Sequence, residues 1–458
     1  MAIATVDPTT GQTLRTFPPL TDEQVEERLA RAAVAAAGYR RTTFAQRAGW
    51  LRATADLLDA EVDTIAALMT TEMGKTLKAA RAEVGKCAAG CRYYAEHAQE
   101  LLADEPCDAS AVGAQRAFAR YEPTGVVLAV MPWNFPLWQA MRFAAPALMA
   151  GNVGLLKHAS NVPQTALLMQ DLFERSGFPA DVFQTLLIGS GQVEAVLRDP
   201  RVAAATLTGS GPAGRSVAAF AGDEVKHTVL ELGGSDPFVV LPSADLDRAA
   251  RVAVTARCQN NGQSCIAAKR FLVHTDVYDA FAERFRAGLA AQVLGDPREE
   301  GTDIGPLATE QGREDVEELV ADAVAHGAQV TVGGTRPDGP GWYYPATLVE
   351  GVTREMRMWG EEVFGPVASL LRVADLDEAL EVANDTEFGL GSNVWTTDTG
   401  EQERFITEVR AGMVFVNGMT TSYPELPFGG VGTSGYGREL AGHGIKEFCE
   451  VKTVWVGP

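Results

Sequence analysis

Residues 202–214, VAAATLTGSGPAG, run from an apolar segment through a glycine-rich turn into residues that favour a helix. The apolar segment has the length of a buried strand, and the turn has the spacing G-x-G-x-x-G from Gly209 to Gly214. Backbone N–H groups at such a turn, with the Ser210 hydroxyl, are suited to a pyrophosphate. A plain strand-to-helix turn has the same pattern, so this motif alone leaves both interpretations open.

Similar apolar runs flank this stretch and alternate with segments of helical periodicity. Runs of five to seven apolar residues separated by helices are typical of parallel strands in an α/β sheet. The predicted strands are VVLAVM (126–131), VGLLK (153–157), FQTLLIG (183–189), VAAATLTG (202–209) and HTVLELGG (227–234). Residues 21–103 are predicted to be helical, as are 164–176, 192–199 and 213–221.

A second α/β region begins near Ser235. Its first helix, predicted over 244–263, ends at the stop signal Asn260-Asn261-Gly262. The remaining predictions are strands at 271–274, 329–334, 413–418 and 448–457 and helices at 277–292 and 310–326. The sequence therefore predicts two closely joined α/β domains with some additional β structure.

The charge and cysteine content exclude several classes of protein. With 39 Lys and Arg against 60 Asp and Glu, the chain has a formal net charge of −21. It should repel phosphate backbones and anionic lipids, so we expect neither nucleic-acid nor membrane binding. The N-terminus has no targeting pattern, and six cysteines are too few for a disulfide scaffold. We therefore expect a cytoplasmic protein.

Four polar residues stand where chemistry is expected. Cys265 follows the predicted helix stop, where a thiol can become a nucleophile, although a buried structural thiol is the alternative. Glu231 ends an apolar strand, where burial should raise its pKa towards that of a general base. Asn134 lies in the rigid segment PWNFP, where its amide can stabilise an oxyanion. Lys157 ends another strand, at the usual ligand crevice. The structural alternatives are a carboxylate that caps a turn or pairs with an arginine for Glu231, a turn asparagine for Asn134 and a solvated lysine for Lys157.

Cys87 and Cys91 are spaced as i and i+4 on a predicted helix, as in some metal sites. No nearby Cys or His completes a ligand set, since His97 falls on another face. We expect no metal.

Together and in this order, the motifs resemble the aldehyde dehydrogenases, the NAD(P)-dependent and hydrolytic family. The resemblance extends from about residue 7 to residue 456, and Glu231 and Cys265 stand 34 residues apart, as the family pattern requires. The matching segments are PWNFP (132–136), GNVGLLK (151–157), TGSGPAG (208–214), ELGG (231–234), GQSC (262–265), EEVFGPV (361–367) and PFGGVGTSGYGRE (427–439).

The resemblance implies a role for each matching residue. Cys265 would be the nucleophile, the Asn134 amide and the Cys265 N–H would hold the oxyanion, and Glu231 would activate the water that hydrolyses a thioester. Glu231 is then not available for the ribose, so the likeness to an ordinary Rossmann turn is partial. The implied NAD(P)-binding residues are Trp133, Lys157, Ser160, Gly209, Ser210, Gly214, Leu232, Glu362 and Phe364.

The implied fold is α/β, the aldehyde dehydrogenase-like fold. A Rossmann-type NAD(P)-binding domain would comprise 1–106 and 124–233, and an α/β catalytic domain would comprise 234–437. A β oligomerisation arm would comprise 107–123 and 438–458. Its β excursion near 107–123 is expected to pair with another subunit, whose C-terminal strand is near 447–456. The resemblance therefore implies that the protein is a homodimer or a homotetramer.

The cofactor preference depends on Ser160, three positions after Lys157. NAD-preferring relatives often have a glutamate there that binds both ribose hydroxyls. A carboxylate would repel a 2′-phosphate, whereas a serine can donate a hydrogen bond to it and Lys157 supplies charge. We therefore predict that NADP is preferred and that NAD remains possible.

The substrate prediction depends on Arg142, about two helical turns after Asn134 and so on the same aldehyde tunnel. It matches an arginine of the succinate-semialdehyde dehydrogenases. The segment with Ser422 and Tyr423, before the glycine-rich loop, also resembles the same segment of those enzymes. Many of those enzymes have a second arginine where this chain has Gln259. We predict an aldehyde with a distal carboxylate, succinic semialdehyde. The alternative is that Arg142 pairs with an acidic neighbour.

Other functions remain open at this stage. A broader aliphatic aldehyde dehydrogenase would follow from a weak carboxylate site. An acylating dehydrogenase would pass the thioester to coenzyme A, but such enzymes generally lack the glutamate found at 231. A redox-free cysteine hydrolase or acyltransferase, or a non-catalytic member of the fold, fits the motifs less well.

Overall fold

The computed structural model of the chain describes residues 2–457. Its strands are β1 (Ile3–Asp7), β2 (Gln12–Phe17), β3 (Glu105–Pro106), β4 (Arg116–Pro123), β5 (Val126–Met131), β6 (Val153–His158), β7 (Phe183–Thr185), β8 (Val202–Thr208), β9 (His227–Glu231), β10 (Pro237–Val240), β11 (Arg270–His274), β12 (Gln329–Val332), β13 (Thr347–Glu350), β14 (Val367–Val373), β15 (Gly391–Trp395), β16 (Met413–Val416), β17 (Gly435–Tyr436) and β18 (Cys449–Val456).

The helices cover both faces of the two large sheets. They are α1 (Asp22–Tyr39), α2 (Phe44–Ala60), α3 (Val62–Met73), α4 (Leu77–Leu101), α5 (Trp138–Ala150), α6 (Pro163–Arg175), α7 (Val193–Arg198), α8 (Gly211–Asp223), α9 (Leu246–Cys258), α10 (Tyr278–Ala290), α11 (Glu310–Ala325), α12 (Arg357–Gly360), α13 (Leu376–Asn384), α14 (Thr399–Glu408) and α15 (Ala441–Lys446). No helix within residues 2–457 combines the length and the apolarity that a bilayer crossing requires.

The first large sheet has the strand order β17-β9-β8-β5-β6-β7 and is parallel except for β17. Its central strands are almost entirely buried, as expected of a sheet with helices on both faces. The five predicted runs are confirmed as β5 to β9. Strand β7 ends at Thr185, earlier than predicted, because it is an edge strand that pairs only with β6.

The second large sheet has the order β12-β13-β14-β11-β10-β15-β16 and is parallel except for β12. The predicted second α/β region is therefore confirmed. Helix α9 ends at Cys258, five residues before the predicted end, because Asn260 and Asn261 adopt left-handed φ angles of 55° and 58°. This break at the predicted stop signal begins the loop that carries Cys265.

A third, antiparallel sheet has the order β18-β4-β3. Strands β4 and β18 pair along their full length, from Pro123 opposite Cys449 to Arg116 opposite Val456. The predicted excursion and the C-terminal strand thus pair with each other within this chain. Pairing with another subunit stays a prediction. Phe448 brings the two segments together, because its carbonyl accepts hydrogen bonds from the Thr124 N–H and the Asn152 amide.

A buried carboxylate, Glu83 of α4, joins the elements around the later site. Its Oε1 accepts hydrogen bonds from the backbone N–H groups of Leu137 and Trp138, 2.9 Å each, at the start of α5. Its other oxygen forms an ion pair with Lys75, which is fully buried and lies over the Phe135 ring. The carboxylate thereby stabilises the helix start electrostatically and fixes the chain just after Asn134.

Replacing Glu83 by alanine should be strongly destabilising, by about 3–5 kcal/mol, because Lys75 would remain buried without its counter-ion. Urea unfolding followed by circular dichroism measures the effect. Glu96→Ala, at an exposed position on the same helix, is the matched control and should change the stability by no more than about 0.5 kcal/mol. An unchanged urea midpoint in Glu83→Ala would show that the ion pair does not hold these elements together.

Candidate active site

The site is built at the carboxyl ends of the parallel strands of the first sheet. Glu231 ends β9, Gly209 follows β8, Lys157 lies near the end of β6, and Asn134 follows β5. In a parallel sheet these ends meet at one edge, where ligands of α/β proteins bind. The loop with Cys265 reaches the same edge from the second domain.

Cys265 is partly exposed and lies in a loop whose backbone is held by hydrogen bonds from Lys269. Lys269 Nζ donates hydrogen bonds to the carbonyls of Ser264 (3.0 Å) and Cys265 (2.6 Å). At Gly262 only glycine fits, because φ is +73° and a Cβ would collide with the Gly365 backbone. Burial raises the pKa of the Cys265 thiol to about 12, and the positive charges of nearby Arg142 and Lys269 oppose this shift.

Asn134 is buried beside the loop that carries Cys265. Its Nδ2 donates to the Gln263 carbonyl at 3.1 Å, and Asn260 Nδ2 donates to the Asn134 carbonyl at 2.7 Å. One amide hydrogen of Asn134 therefore remains for another acceptor. The Cys265 backbone N–H also has no acceptor within residues 2–457. The two donors fit the predicted oxyanion site.

Glu231 is 2% exposed, and neither of its carboxyl oxygens has a hydrogen-bond partner among the described residues. A Cβ at Gly429 would lie 2.7 Å from Glu231 Oε1, so only a glycine allows the carboxyl group to lie there. Burial raises the pKa of Glu231 well above its ordinary value, and the nearby carboxyl group of Glu439 adds to this shift. The group has the perturbed pKa expected of a general base.

Arg142 has an acidic neighbour, which is the alternative considered from the sequence. Its Nε forms an ion pair with Glu439 Oε2, and the two side chains are 3% and 4% exposed. Its guanidinium carbon lies 4.3 Å from the Phe428 ring centroid, and Nη2 is 3.5 Å from Thr208 Oγ1. Burial raises the pKa of Glu439, and Arg142 opposes that shift.

A cavity of about 280 Å³ opens beside Cys265. Three of the residues that the resemblance assigns to the substrate border it, namely Arg142, Gln259 and Ser422, whereas Tyr423 is 46% exposed and does not. The other lining residues are mostly apolar or small: Ala79, Ala82, Glu83, Lys86, Phe135, Trp138, Gln139, Asn260, Ser264, Ile266, Thr420, Thr421 and Phe428. The cavity can therefore hold a short aliphatic chain next to the thiol.

The predicted pyrophosphate turn has the open geometry that a phosphate needs. Ser210 is the N-cap of α8, and its hydroxyl makes no capping hydrogen bond. A Cβ at Gly209 would meet only Leu207, at 3.6 Å, whereas at Gly214 it would lie 2.5 Å from Leu232 Cδ2. Gly214 thus allows α8 to pack closely on the residue after Glu231.

The other predicted cofactor residues lie on both domains. Trp133 and Phe364 meet edge to face, with ring centroids 5.7 Å apart. Glu362 accepts a hydrogen bond from the Gly234 N–H at 3.1 Å and lies 3.3 Å from Lys269 Nζ. It therefore joins the catalytic domain to the turn that follows β9.

Lys157 and Ser160 are partly buried near the end of β6. No carboxylate within residues 2–457 lies within 4 Å of the Lys157 ammonium group, and burial lowers its pKa. The Ser160 carbonyl accepts a hydrogen bond from the Ala4 N–H at 3.0 Å, which fixes its backbone.

Comparison with known proteins agrees with this geometry. The model described as the aldehyde dehydrogenase family matches residues 1–454. The chain belongs to the aldehyde dehydrogenase family. A Mycolicibacterium paratuberculosis protein named an NADP(+) succinate-semialdehyde dehydrogenase is 66% identical to this aldehyde dehydrogenase, over 100% of this chain and 97% of that one. A Mycobacterium tuberculosis protein of the same name is 65% identical over 100% of both chains.

A solved structure is similar to this aldehyde dehydrogenase over nearly its whole length. The succinic semialdehyde dehydrogenase of Streptococcus pyogenes, solved with NADP+, superposes with a TM-score of 0.96 and 37% identity, covering 99% of this chain and 100% of that one. The predicted α/β fold of the family is therefore confirmed.

Three site residues of this aldehyde dehydrogenase were not predicted from the sequence. Glu83 and Lys86 lie on α4, far along the chain from every motif, and no local pattern marks them. Glu439 stands within the matched segment 427–439, but its contact with Arg142 spans nearly 300 residues. Cys87 and Cys91 are buried, and Cys91 Sγ lies 3.5 Å from Met141 Sδ. The described residues contain no cluster that could hold a metal ion.

Proposed function

We propose that this aldehyde dehydrogenase oxidises succinic semialdehyde to succinate and prefers NADP. The observation that carries the proposal is one cavity that combines a cysteine nucleophile, Cys265, with cationic side chains, Arg142 and Lys86. Most of the cavity wall is apolar, which suits a short carbon chain, and the cations suit a distal carboxylate. The similar proteins from Mycolicibacterium, Mycobacterium and Streptococcus named above support the same substrate and cofactor.

In the proposed reaction the thiolate of Cys265 attacks the aldehyde carbon. The carbonyl oxygen gains charge and accepts hydrogen bonds from Asn134 Nδ2 and the Cys265 N–H. Burial raises the pKa of the free thiol to about 12. The nearby positive charges of Arg142 and Lys269 oppose this shift and so favour the reactive thiolate.

The residues around the β8 turn fit a dinucleotide. The open start of α8, with the uncapped Ser210 hydroxyl and Gly209, would hold the pyrophosphate, and Glu362, Phe364 and Trp133 would hold the nicotinamide riboside. When bound, the nicotinamide ring would supply the acceptor for the hydride that the aldehyde carbon loses. Cys265 then holds the acyl group as a thioester, and Glu231 takes a proton from the water that hydrolyses it.

The charge pattern at the end of β6 supports NADP. Lys157 offers a positive charge with no carboxylate partner in the described chain, and Ser160, three residues further along the chain, has a small hydroxyl instead of a carboxylate. A 2′-phosphate gains a charge-assisted hydrogen bond from such a pair.

We also propose that the enzyme is a homodimer or homotetramer. The outer edge of β18 has no strand partner within residues 2–457, and its Val451 and Trp455 are 63% and 54% exposed. An unpaired edge with exposed apolar side chains is suited to pairing with another chain. The six free cysteines fit a reducing compartment, which supports a cytoplasmic location.

Replacing Glu231 by glutamine should slow hydrolysis of the thioester more than formation of reduced cofactor. Stopped-flow absorbance should then show a burst of one reduced cofactor per site, followed by turnover about 10²- to 10⁴-fold slower than in the wild type. Cys265→Ala, the control, should give neither burst nor turnover. Unchanged steady-state turnover in Glu231→Gln would refute the assignment.

Replacing Ser160 by glutamate should shift the preference from NADP towards NAD, because a carboxylate repels a 2′-phosphate and accepts hydrogen bonds from the ribose hydroxyls. The measurement is kcat/KM for each cofactor with the aldehyde saturating. Ser160→Ala is the control and should weaken NADP without improving NAD. A wild type that clearly prefers NAD would contradict the proposed cofactor.

The wild type should oxidise succinic semialdehyde in preference to butanal, an uncharged aldehyde with the same number of carbon atoms. One charged hydrogen bond contributes about 1.5–3 kcal/mol, so kcat/KM should differ roughly 10- to 100-fold. Equal values for the two aldehydes would favour a broad aliphatic aldehyde dehydrogenase. Release of acyl-coenzyme A when coenzyme A is added would favour an acylating one.

A further inference from the structure

Lys86 brings a positive charge to the cavity wall from helix α4. Its Nζ donates a hydrogen bond to Ser422 Oγ at 2.6 Å and lies 4.7 Å from the centroid of the Trp138 ring. These two contacts hold the ammonium group at the cavity while the side chain remains partly exposed.

The charge of Lys86 differs from the other full charges on the cavity wall because no opposite charge within residues 2–457 balances it. Arg142 forms an ion pair with Glu439, and Glu83 forms one with Lys75. Lys86 has no carboxylate within 4 Å among the described residues, and its hydrogen-bond partner, Ser422, is neutral. The unbalanced charge of the cavity is therefore positive and belongs to Lys86.

Ser422 is arranged to donate a hydrogen bond into the same cavity. Its Oγ accepts hydrogen bonds from Lys86 Nζ and, at 3.0 Å, from Trp138 Nε1, which together occupy both lone pairs. The hydroxyl hydrogen has no acceptor within residues 2–457, although the residue is only 4% exposed. A buried donor without an acceptor is costly, so the site favours a ligand that carries one.

We propose that Lys86, together with the Ser422 hydroxyl, binds the distal carboxylate of the aldehyde substrate. One carboxylate oxygen accepts a hydrogen bond from Lys86 Nζ, which has two further N–H groups to donate, and the other accepts from the Ser422 hydroxyl. The inference rests on the proposed function, since it names the residue that selects succinic semialdehyde.

This assignment gives Arg142 a different part in the same site. Its charge is offset by Glu439, and its loss would leave that carboxyl group buried without a counter-ion beside Glu231. Arg142 therefore positions the acidic pair and adds to the positive potential near Cys265. Lys86 is the residue whose charge is free to distinguish a charged aldehyde from a neutral one.

The pH dependence of substrate preference provides a test that needs no variant. Burial and the neighbouring charge of Arg142 on α5 lower the pKa of Lys86 to about 8, while Glu83 and Cys87 on its own helix oppose that shift. The 420–422 segment presents no charged group to it. As pH rises through about 8, Lys86 loses its proton, so kcat/KM for succinic semialdehyde should fall relative to that for butanal. The ratio cancels effects of Cys265 and Glu231 that both aldehydes share.

The experiment measures kcat/KM for both aldehydes between pH 6.5 and 9.5 in four proteins: the wild type, Lys86→Met, Lys86→Arg and Lys78→Met. Methionine keeps the length of the side chain and removes its charge, whereas arginine keeps a charge that persists at high pH. Lys78→Met is the matched control, because Lys78 lies on the same helix, is paired with Asp303 and does not border the cavity.

Lys86→Met should lower kcat/KM for succinic semialdehyde roughly 10- to 100-fold at pH 7, mainly through KM, and change the value for butanal less than about twofold. The aldehyde ratio should be independent of pH in this variant, and Lys86→Arg should keep part of the wild-type ratio above pH 8. Lys78→Met should behave as the wild type.

Three outcomes would overturn the assignment or its basis, and they are distinguishable. A wild type with no preference for succinic semialdehyde refutes the proposed function itself. A wild type with that preference, retained in full by Lys86→Met, shows that Arg142 or another group binds the carboxylate. Equal losses for both aldehydes in Lys86→Met show that Lys86 has a structural role only.

Discussion

The buried carboxylate of Glu83 is the constraint on which the site depends. It joins three parts of the chain. Glu83 itself lies on α4, its ion pair with Lys75 holds the preceding turn, and its hydrogen bonds from the Leu137 and Trp138 amides hold the start of α5. Helix α5 carries Arg142, α4 carries Lys86, and the segment between β5 and α5 carries Asn134. A buried charge with three partners has one favourable geometry, so Asn134, the proposed oxyanion donor, and the cavity wall are fixed together.

Charge pairing then separates the functions of neighbouring residues. The chain as a whole has a formal net charge of −21 and repels anions at long range. Close to the thiol, the ion pair of Arg142 with Glu439 keeps two carboxyl groups buried side by side, and this arrangement raises the pKa of Glu231. The proposed selection of an anionic substrate therefore requires a cation without a counter-ion, and Lys86 has no carboxylate within 4 Å among the described residues.

Much of the fold was predictable because it depends on local patterns. Five apolar runs became β5 to β9, and the Asn260-Asn261-Gly262 signal ended a helix where the backbone turns left-handed. The predicted end of β7 was wrong, because β7 is an edge strand whose pairing with β6 ends at Thr185. The pairing of β4 with β18 depends on tertiary contacts such as the hydrogen bonds that the Phe448 carbonyl accepts, so the sequence did not locate it.

The sequence by itself determined the α/β class and the family, and it predicted the segments that carry the proposed nucleophile, oxyanion donor and general base. Each of these features depends on a short motif, in which glycines, prolines and polar residues set the conformation of the backbone next to them. Only the tertiary structure decided which charges meet: Arg142 with Glu439, Glu83 with Lys75, and Lys86 with the neutral Ser422. Spacing along the chain does not encode these pairs, because their members lie on different elements or are separated by a turn. The free energy of a buried charge depends on what surrounds it in space, which is established only when those elements pack.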